Sequence, residues 1–263
     1  GIIGCIALKS GAIVPPLTPA LRMLAHRGPD GNDTWASPDG TVALGHTRLS
    51  IIDLVSGGQP LTNEDRSVWA VVNGEFYDFE SIRQQLEQQG HRFRTRSDSE
   101  ILLHLYEDRG TSALHWLNGE FAFVLWDHRN RELFAARDRF GIKPLCYAVV
   151  DGVLYLASEA KALFALGVPS GLDEDSVFSY LHVSQDPDRT FFSAVRQVPP
   201  GHFLLVRNGN VRVIPYWDFD LAHPPAAPEL QEEVVNEFAT RLRGAVRRRM
   251  RAHVPVGIYL SGG

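Results

Sequence analysis

The chain has 263 residues, 44% of them hydrophobic, and its 26 basic against 31 acidic side chains leave a net charge of −5 with both signs well mixed. That is material for one full core and the start of another, without the basic footprint of a nucleic-acid binder and without an apolar stretch long enough to span a membrane. Two cysteines, Cys5 and Cys146, have no paired spacing and suggest neither a disulfide framework nor a metal site, and no secretory leader is read.

In chain order, residues 2–8 read as an apolar strand with Cys5 facing the core. A helical pattern over 17–24 precedes His26-Arg27-Gly28-Pro29-Asp30, which taken alone is a salt-bridged turn. A strand over 42–45 leads to Arg48-Leu49-Ser50-Ile51-Ile52-Asp53, and the apolar run 68–72 reads as a buried strand running into Asn73-Gly74-Glu75-Phe76-Tyr77-Asp78. Asn73-Gly74 fits two structures. It is a two-residue hairpin signal, and it is also a donor pair, one side-chain amide and one backbone N–H, suited to an oxyanion. A helix over 79–88 follows, with Phe79, Ile82 and Leu86 on one face. Ser97 to Glu100 fits a capping box ahead of a helix over 100–108. Strands over 121–126, 133–136, 154–157 and 203–206 and helices over 161–166 and 176–181 complete the pattern. Turns at Asp151-Gly152 and Asn208-Gly209 indicate antiparallel pairing, with helices covering two sheets, and periodicity alone supports the class α+β.

The segment His223-Pro224-Pro225-Ala226-Ala227-Pro228 reads as a linker. Beyond it Leu230, Val234, Phe238, Leu242, Ala245 and Val246 form a helical stripe. Arg247-Arg248-Arg249 with Arg251 closes that helix as dipole complementation on a solvated face. Residues 254–260 then read as a buried strand entering Ser261-Gly262-Gly263, the kind of turn that cradles phosphate on backbone N–H groups.

One fixed cation (Arg48), one fixed anion (Asp98) and an oxyanion-type donor pair in one small domain are what a free amino acid with a side-chain carbonyl requires. The motifs Gly1-Ile2-Ile3-Gly4, His26 to Asp30, Arg48 to Asp53, Gly74-Glu75-Phe76-Tyr77, Gly119-Glu120-Phe121-Ala122-Phe123, Arg137-Asp138-Arg139-Phe140-Gly141 with Pro144-Leu145, Ala157-Ser158-Glu159 with Lys161-Ala162-Leu163, and Pro199-Pro200-Gly201 carry the rest. Together they resemble the glutaminase domain of class II (N-terminal nucleophile) glutamine amidotransferases, most closely the asparagine synthetase B type.

The resemblance implies a four-layer αββα sandwich over residues 1–222, a linker over 223–228, and over 229–263 the beginning of an α/β ATP-pyrophosphatase domain. It implies that Arg48 holds the glutamine carboxylate and that Asp98 with the Gly74-Glu75 backbone holds its α-amino group. Asn73 and Gly74 form the oxyanion hole, and Leu49, Ser50, Ile51 and Ile52 line the pocket. His26 to Asp30 shape the site, whereas Glu120, Arg137, Asp138 and Glu159 either brace the contact between domains or sit at the surface. Tyr259, Ser261, Gly262 and Gly263 are the implied ATP-binding residues. ATP and Mg²⁺ serve the second domain, and no cofactor or metal is expected for the first. Glutamine, ATP and a carboxylate acceptor, by default aspartate, are the implied partners, in a cytoplasmic protein for which a homodimer stays open.

The family's nucleophile is a cysteine immediately before the strand that Gly1-Ile2-Ile3-Gly4 matches, and a Cys directly preceding Gly1 is expected in the native protein. Its free α-amino group serves as base for its own thiol, so Cys5, inside a strand, is no substitute and reads as structural. Two rivals remain: amination of a sugar phosphate or phosphoribosyl group by a same-fold enzyme, and a non-hydrolysing scaffold for an ATP-dependent ligase, as in β-lactam synthetases.

Overall fold

The computed structural model describes residues 1–51, 53, 57–182, 186–221 and 232–259. Its elements are β1 (Ile2–Ala7), α1 (Thr18–Leu24), β2 (Gly31–Ala36), β3 (Val42–Arg48), β4 (Leu61–Thr62), β5 (Val68–Phe76), α2 (Phe79–Gln88), α3 (Ile101–Arg109), β6 (Gly119–Asp127), β7 (Glu132–Arg137), β8 (Cys146–Val150), β9 (Val153–Ala157), α4 (Ala160–Phe164), α5 (Glu174–Leu181), β10 (Arg196–Gln197), β11 (His202–Arg207), β12 (Asn210–Pro215) and α6 (Glu232–Arg249).

Two six-stranded sheets result, ordered β10-β8-β9-β1-β3-β2 and β12-β11-β7-β6-β5-β4. Their strand pairs are antiparallel, with Ile2 opposite His46 and Asn73 opposite Ala122. The alternation of side chains along each strand separates three apolar layers. Ile2, Ile6, Leu44, Val71, Val124 and Leu204 meet between the sheets; Ile3, Cys5 and Ala157 pack outward against Leu21 and Leu24 of α1 and Leu163 of α4. Val72, Phe121 and Phe123 pack outward on the second sheet, against Phe79 and Leu86 of α2 and Leu102 and Leu105 of α3. The four-layer αββα arrangement is therefore what these residues build. Trp35 of β2 stacks on Trp69 of β5, ring centroids 4.6 Å apart and 15° from parallel, tying one sheet to the other.

Cys5 is fully buried, and burial pushes its thiol pKa up, which agrees with a structural residue. Asp151-Gly152 and Asn208-Gly209 take positive φ at both positions and join β8 to β9 and β11 to β12, as hairpin turns of this chemistry do. The edge strand β2, with mostly exposed side chains, carries no apolar alternation and was not expected from the pattern.

The helix expected beyond residue 228 forms, and Val234, Phe238, Leu242 and Val246 are exposed along it. The strand expected after it does not form. Residues 254–259 are neither strand nor buried: no strand of either sheet lies beside them, so their backbone has no ladder to join. Tyr259, an expected ATP-binding residue, stands fully exposed. The linker 223–228 and the expected ATP-binding Ser261, Gly262 and Gly263 lie outside the described residues. No helix among the described residues is long and apolar enough to cross a membrane.

Candidate active site

Val42 and Leu44 face the gap between the sheets, so alternation along β3 turns His46 and Arg48 toward the same gap at its end. On β5 the same rule turns Asn73 inward, two residues beyond Val71. The two sheets thus deliver a guanidinium and an amide to one opening, beside the Gly1 end of β1. Gly1, Arg27, Thr47, Arg48, Leu49, Ile51, Gln59, Asn73, Gly74, Glu75, Asp98, Ser99 and Lys143 line the resulting cavity.

Asn73-Gly74 is not a turn. β5 continues through it to Phe76, paired with Gly119 to Phe121 of β6. Gly74 has φ +135°, and a Cβ there would overlap the Glu120 carbonyl, so the strand accepts only glycine at this point. Asn73 Nδ2 is buried with no hydrogen-bond partner among the described residues. A buried donor left open costs free energy unless a ligand supplies its acceptor.

At the anionic wall, Asp98 accepts from the Phe76 N–H at 2.7 Å and from the Ser97 hydroxyl at 3.3 Å. Burial raises its pKa despite these bonds. Glu75 is raised too, first by burial and then by the charge of Asp98, with Lys143 opposing. A buried Asp98 and a partly buried Glu75 whose pKa Asp98 raises form a site whose charge a cation would relieve. Ser97 caps the turn into α3 by accepting from the Ser99 N–H, but Glu100 does not close the expected capping box. It accepts instead from the backbone N–H groups of Arg94 and Thr95 at 2.6 and 2.7 Å, because the chain doubles back there.

The cationic wall is tied down by its own loop. Arg48 Nη2 donates to the Asp53 carbonyl, and the Asp53 carboxylate accepts from Arg96 N–H at 2.9 Å. Gly28 lies against the Thr47-Arg48 backbone so closely that a Cβ would overlap it. Asp30 accepts from Ser50 N–H at 2.7 Å, which turns Ser50 onto this brace rather than into the cavity lining. Ile52 lies outside the described residues. His26 and Arg27 both bond Glu159, at 3.0 and 2.9 Å, and Lys161 joins them at 2.9 Å. Burial opposes the charge, yet hydrogen bonds from Lys161, Arg27 and His26 hold the Glu159 carboxyl at about 2. Glu159 thus anchors the wall beside Gly1.

Among the described residues, Arg137 and Asp138 bond within the sandwich. Arg137 donates to the carbonyls of Gly141, Lys143 and Val198, and the buried Asp138 collects N–H groups of Phe121, Phe140, Ile142 and Lys143 at 3.0–3.2 Å. They shape the loop that presents Lys143. Glu120, by contrast, does receive Arg249 of α6 at 2.6 Å, and Glu80 receives Arg251, so part of the basic cluster is paired and not merely solvated.

The cavity also includes residues that sequence reasoning missed. Gln59 accepts from Val72 N–H at 2.6 Å, and Thr47 donates toward the Leu24 carbonyl at 3.2 Å. Lys143 and Ser99 complete the lining. Each arrives through register or loop closure, which leaves no local signal.

Comparison with known proteins agrees with this geometry. A family model described as a glutamine amidotransferase domain matches residues 1–217, and one described as asparagine synthase matches residues 237–263. Amidase chry2 of Gibberella zeae is 44% identical over 95% of this chain and 37% of its own length. Amidase chyE of Penicillium rubens is 45% identical over the same shares. Asparagine synthetase [glutamine-hydrolyzing] 1 of Bacillus subtilis is 37% identical over 92% of this chain and 38% of its own length. The chain spans little more than a third of the length of these curated relatives. Among solved structures, a glutamine phosphoribosylpyrophosphate amidotransferase from B. subtilis shares the fold, with a TM-score of 0.61 at 22% identity over 82% of this chain and 49% of that one.

Proposed function

The chain belongs to the class II glutamine amidotransferases, of the asparagine synthetase B-like kind, and from that premise we propose that it is the glutamine-hydrolysing part of an amide-forming ligase. The observation that carries the reading is the buried, unpartnered Asn73 Nδ2 in a cavity walled by Arg48 on one side and Asp98 with Glu75 on the other.

In this reading the glutamine α-carboxylate binds Arg48, and its α-ammonium sits at Asp98 and the Gly74-Glu75 backbone. That placement sends the side-chain carbonyl oxygen to Asn73 Nδ2 and the Gly74 N–H. The nucleophile is the thiol of a Cys immediately before Gly1, and Gly1 itself lines the cavity. Its own α-amino group takes the thiol proton as sulfur attacks the amide carbon, and Asn73 and Gly74 stabilise the oxyanion. The proton passes to the leaving nitrogen, the C–N bond breaks, and ammonia departs from a γ-glutamyl thioester. Water then cleaves the thioester to glutamate, and the thiol is restored.

In the longer protein, ammonia passes to a carboxylate activated by ATP and Mg²⁺ as its acyl-adenylate, with aspartate as default acceptor. The asparagine synthase match over 237–263 supports this second half over amination of a sugar phosphate. The name amidase on two relatives fits hydrolysis of an amide and leaves open an acceptor other than aspartate.

The test is to treat the full-length protein with an electrophilic diazo-ketone analogue of glutamine and map the modified peptide. Label on a Cys directly before Gly1, with loss of glutamate release, is the expected result. Label on Cys5, or glutamine hydrolysis without such a Cys, refutes it, and no hydrolysis at all supports the non-hydrolysing scaffold.

A further inference from the structure

On the outer face of the second sheet, away from the glutamine cavity, Glu64, His91, His104 and Glu107 place one ligand atom each within 4.8 Å of one another. They come from the loop between β4 and β5, the loop after α2, and two positions on α3. His104 Nδ1 lies 3.2 Å from Glu107 Oε2 and 3.7 Å from Glu64 Oε2, and His91 Nδ1 lies 3.8 Å from Glu107 Oε2. A tetrahedral zinc with bonds near 2.05 Å sets its ligand atoms about 3.3 Å apart, so these donors need only small adjustments to share one ion.

The surroundings are built as a metal site's are. Each carboxylate has its other oxygen engaged: Glu64 Oε1 accepts from Arg92 N–H at 2.7 Å, and Glu107 Oε1 accepts from Asn63 Nδ2 at 2.7 Å. Their Oε2 atoms are thereby turned toward the imidazoles. His91 has a carboxylate on its far nitrogen, Asp108 at 3.0 Å from Nε2, whereas His104 Nε2 makes no hydrogen bond among the described residues and has Glu100 3.8 Å away. A carboxylate–histidine–metal chain such as Asp108–His91 fixes ring orientation and strengthens the ligand. Metal binding displaces the imidazole protons, and two neutral imidazoles with two carboxylates then match a divalent charge; His104 is fully buried, so water gains little access to that side.

We infer that Glu64, His91, His104 and Glu107 form a closed four-ligand site for a divalent transition metal, with Zn²⁺ the best match to the donor set. Copper binds such donors more tightly in general but prefers a tetragonal arrangement, and magnesium and calcium prefer more oxygens than are present. The ion is structural: it ties two loops to α3, whose leading turn carries Asp98. The cysteine-based expectation of no metal in this domain had no way to see it, since the ligands are spread over 44 positions and include no cysteine.

The experiment strips the full chain with a chelator, then titrates Zn²⁺ by calorimetry and Co²⁺ by visible absorption. The expected result is one saturable site, intense tetrahedral d–d bands with Co²⁺, and a higher Tm with Zn²⁺. Asp108→Asn should weaken Zn²⁺ binding roughly 10- to 100-fold, as losing such a supporting carboxylate does, and His91→Ala should weaken it further. His91 is on a loop; if its variant misfolds by circular dichroism, Glu64→Gln, with a partly exposed side chain, takes its place. Absence of a saturable site, or unchanged Zn²⁺ affinity in the folded ligand variant, overturns the assignment.

Discussion

In β5 the run Val68-Trp69-Ala70-Val71-Val72 lies between β4 and β6 and buries most of its side chains, whereas in residues 254–259, a run that reads similarly, Val256, Ile258 and Tyr259 stand in solvent. The apolar pattern is comparable in the two places. What differs is the presence of neighbouring strands, since a strand gains its hydrogen bonds and its burial from partners and not from its own composition. The same contrast holds for charge. Around Asn73 the carboxyls are desolvated and Asp98 raises the pKa of Glu75, while α6 meets the sandwich through carboxylate pairs of its exposed arginines. Substitutions in the first region should therefore act strongly on binding and chemistry, and those in the second weakly on either.

The largest effect is expected from Asn73→Ala. Removing an oxyanion donor should lower kcat for glutamine hydrolysis about 100- to 1,000-fold in the full-length protein, with KM changed far less. A change confined to KM would reduce Asn73 to a binding residue. Arg48→Ala comes next, raising the glutamine KM roughly 10- to 100-fold, the size of a lost charged hydrogen bond, while synthesis from free ammonia stays nearly constant. Equal loss of both activities would break the assigned division of labour.

Asp98→Asn sharpens the comparison because stability and binding should move apart. Burial raises the carboxyl pKa, so folding favours its neutral form and the ionised group costs stability at neutral pH. The variant should keep its Tm or gain slightly, yet bind glutamine more weakly; a marked fall in Tm would contradict the desolvation argument. The wild type should show the same chemistry by titration. Binding of the α-ammonium needs Asp98 ionised, so affinity is full above its raised pKa and falls as pH drops through it, beginning above the ordinary carboxylate range. The smallest effects are expected from Arg249→Ala and Arg251→Ala, at most about 1 kcal/mol each in unfolding, as for exposed ion pairs, with glutamine KM unchanged. A tenfold change in KM from either would mean that α6 shapes the cavity.

Much of the site was legible because its key groups sit in short local motifs. Arg48, Asn73, Gly74 and Asp98 each belong to a run whose spacing carries meaning, and the structure brings them to one cavity. Gln59, Thr47 and Lys143 were illegible, since only strand register and the loop held by Asp138 bring them there. The layers were legible where a strand buries one face and a helix another, as in β1 and α1. They were not in β2, whose side chains are mostly exposed and polar so that periodicity has nothing to register. The hairpin reading of Asn73-Gly74 shows the same limit: dipeptide chemistry proposes a turn, but the pairing of Glu75 with Glu120 extends the strand past it.

The stack of Trp35 on Trp69 has an optical consequence. Two nearly parallel indoles 4.6 Å apart couple their transition dipoles, and that coupling falls steeply with separation. Because one ring rides on each sheet, an exciton couplet in circular dichroism gauges the spacing of the sandwich from within. Replacing either indole with phenylalanine should erase the couplet, leaving a built-in ruler for any opening of the sheets when glutamine enters.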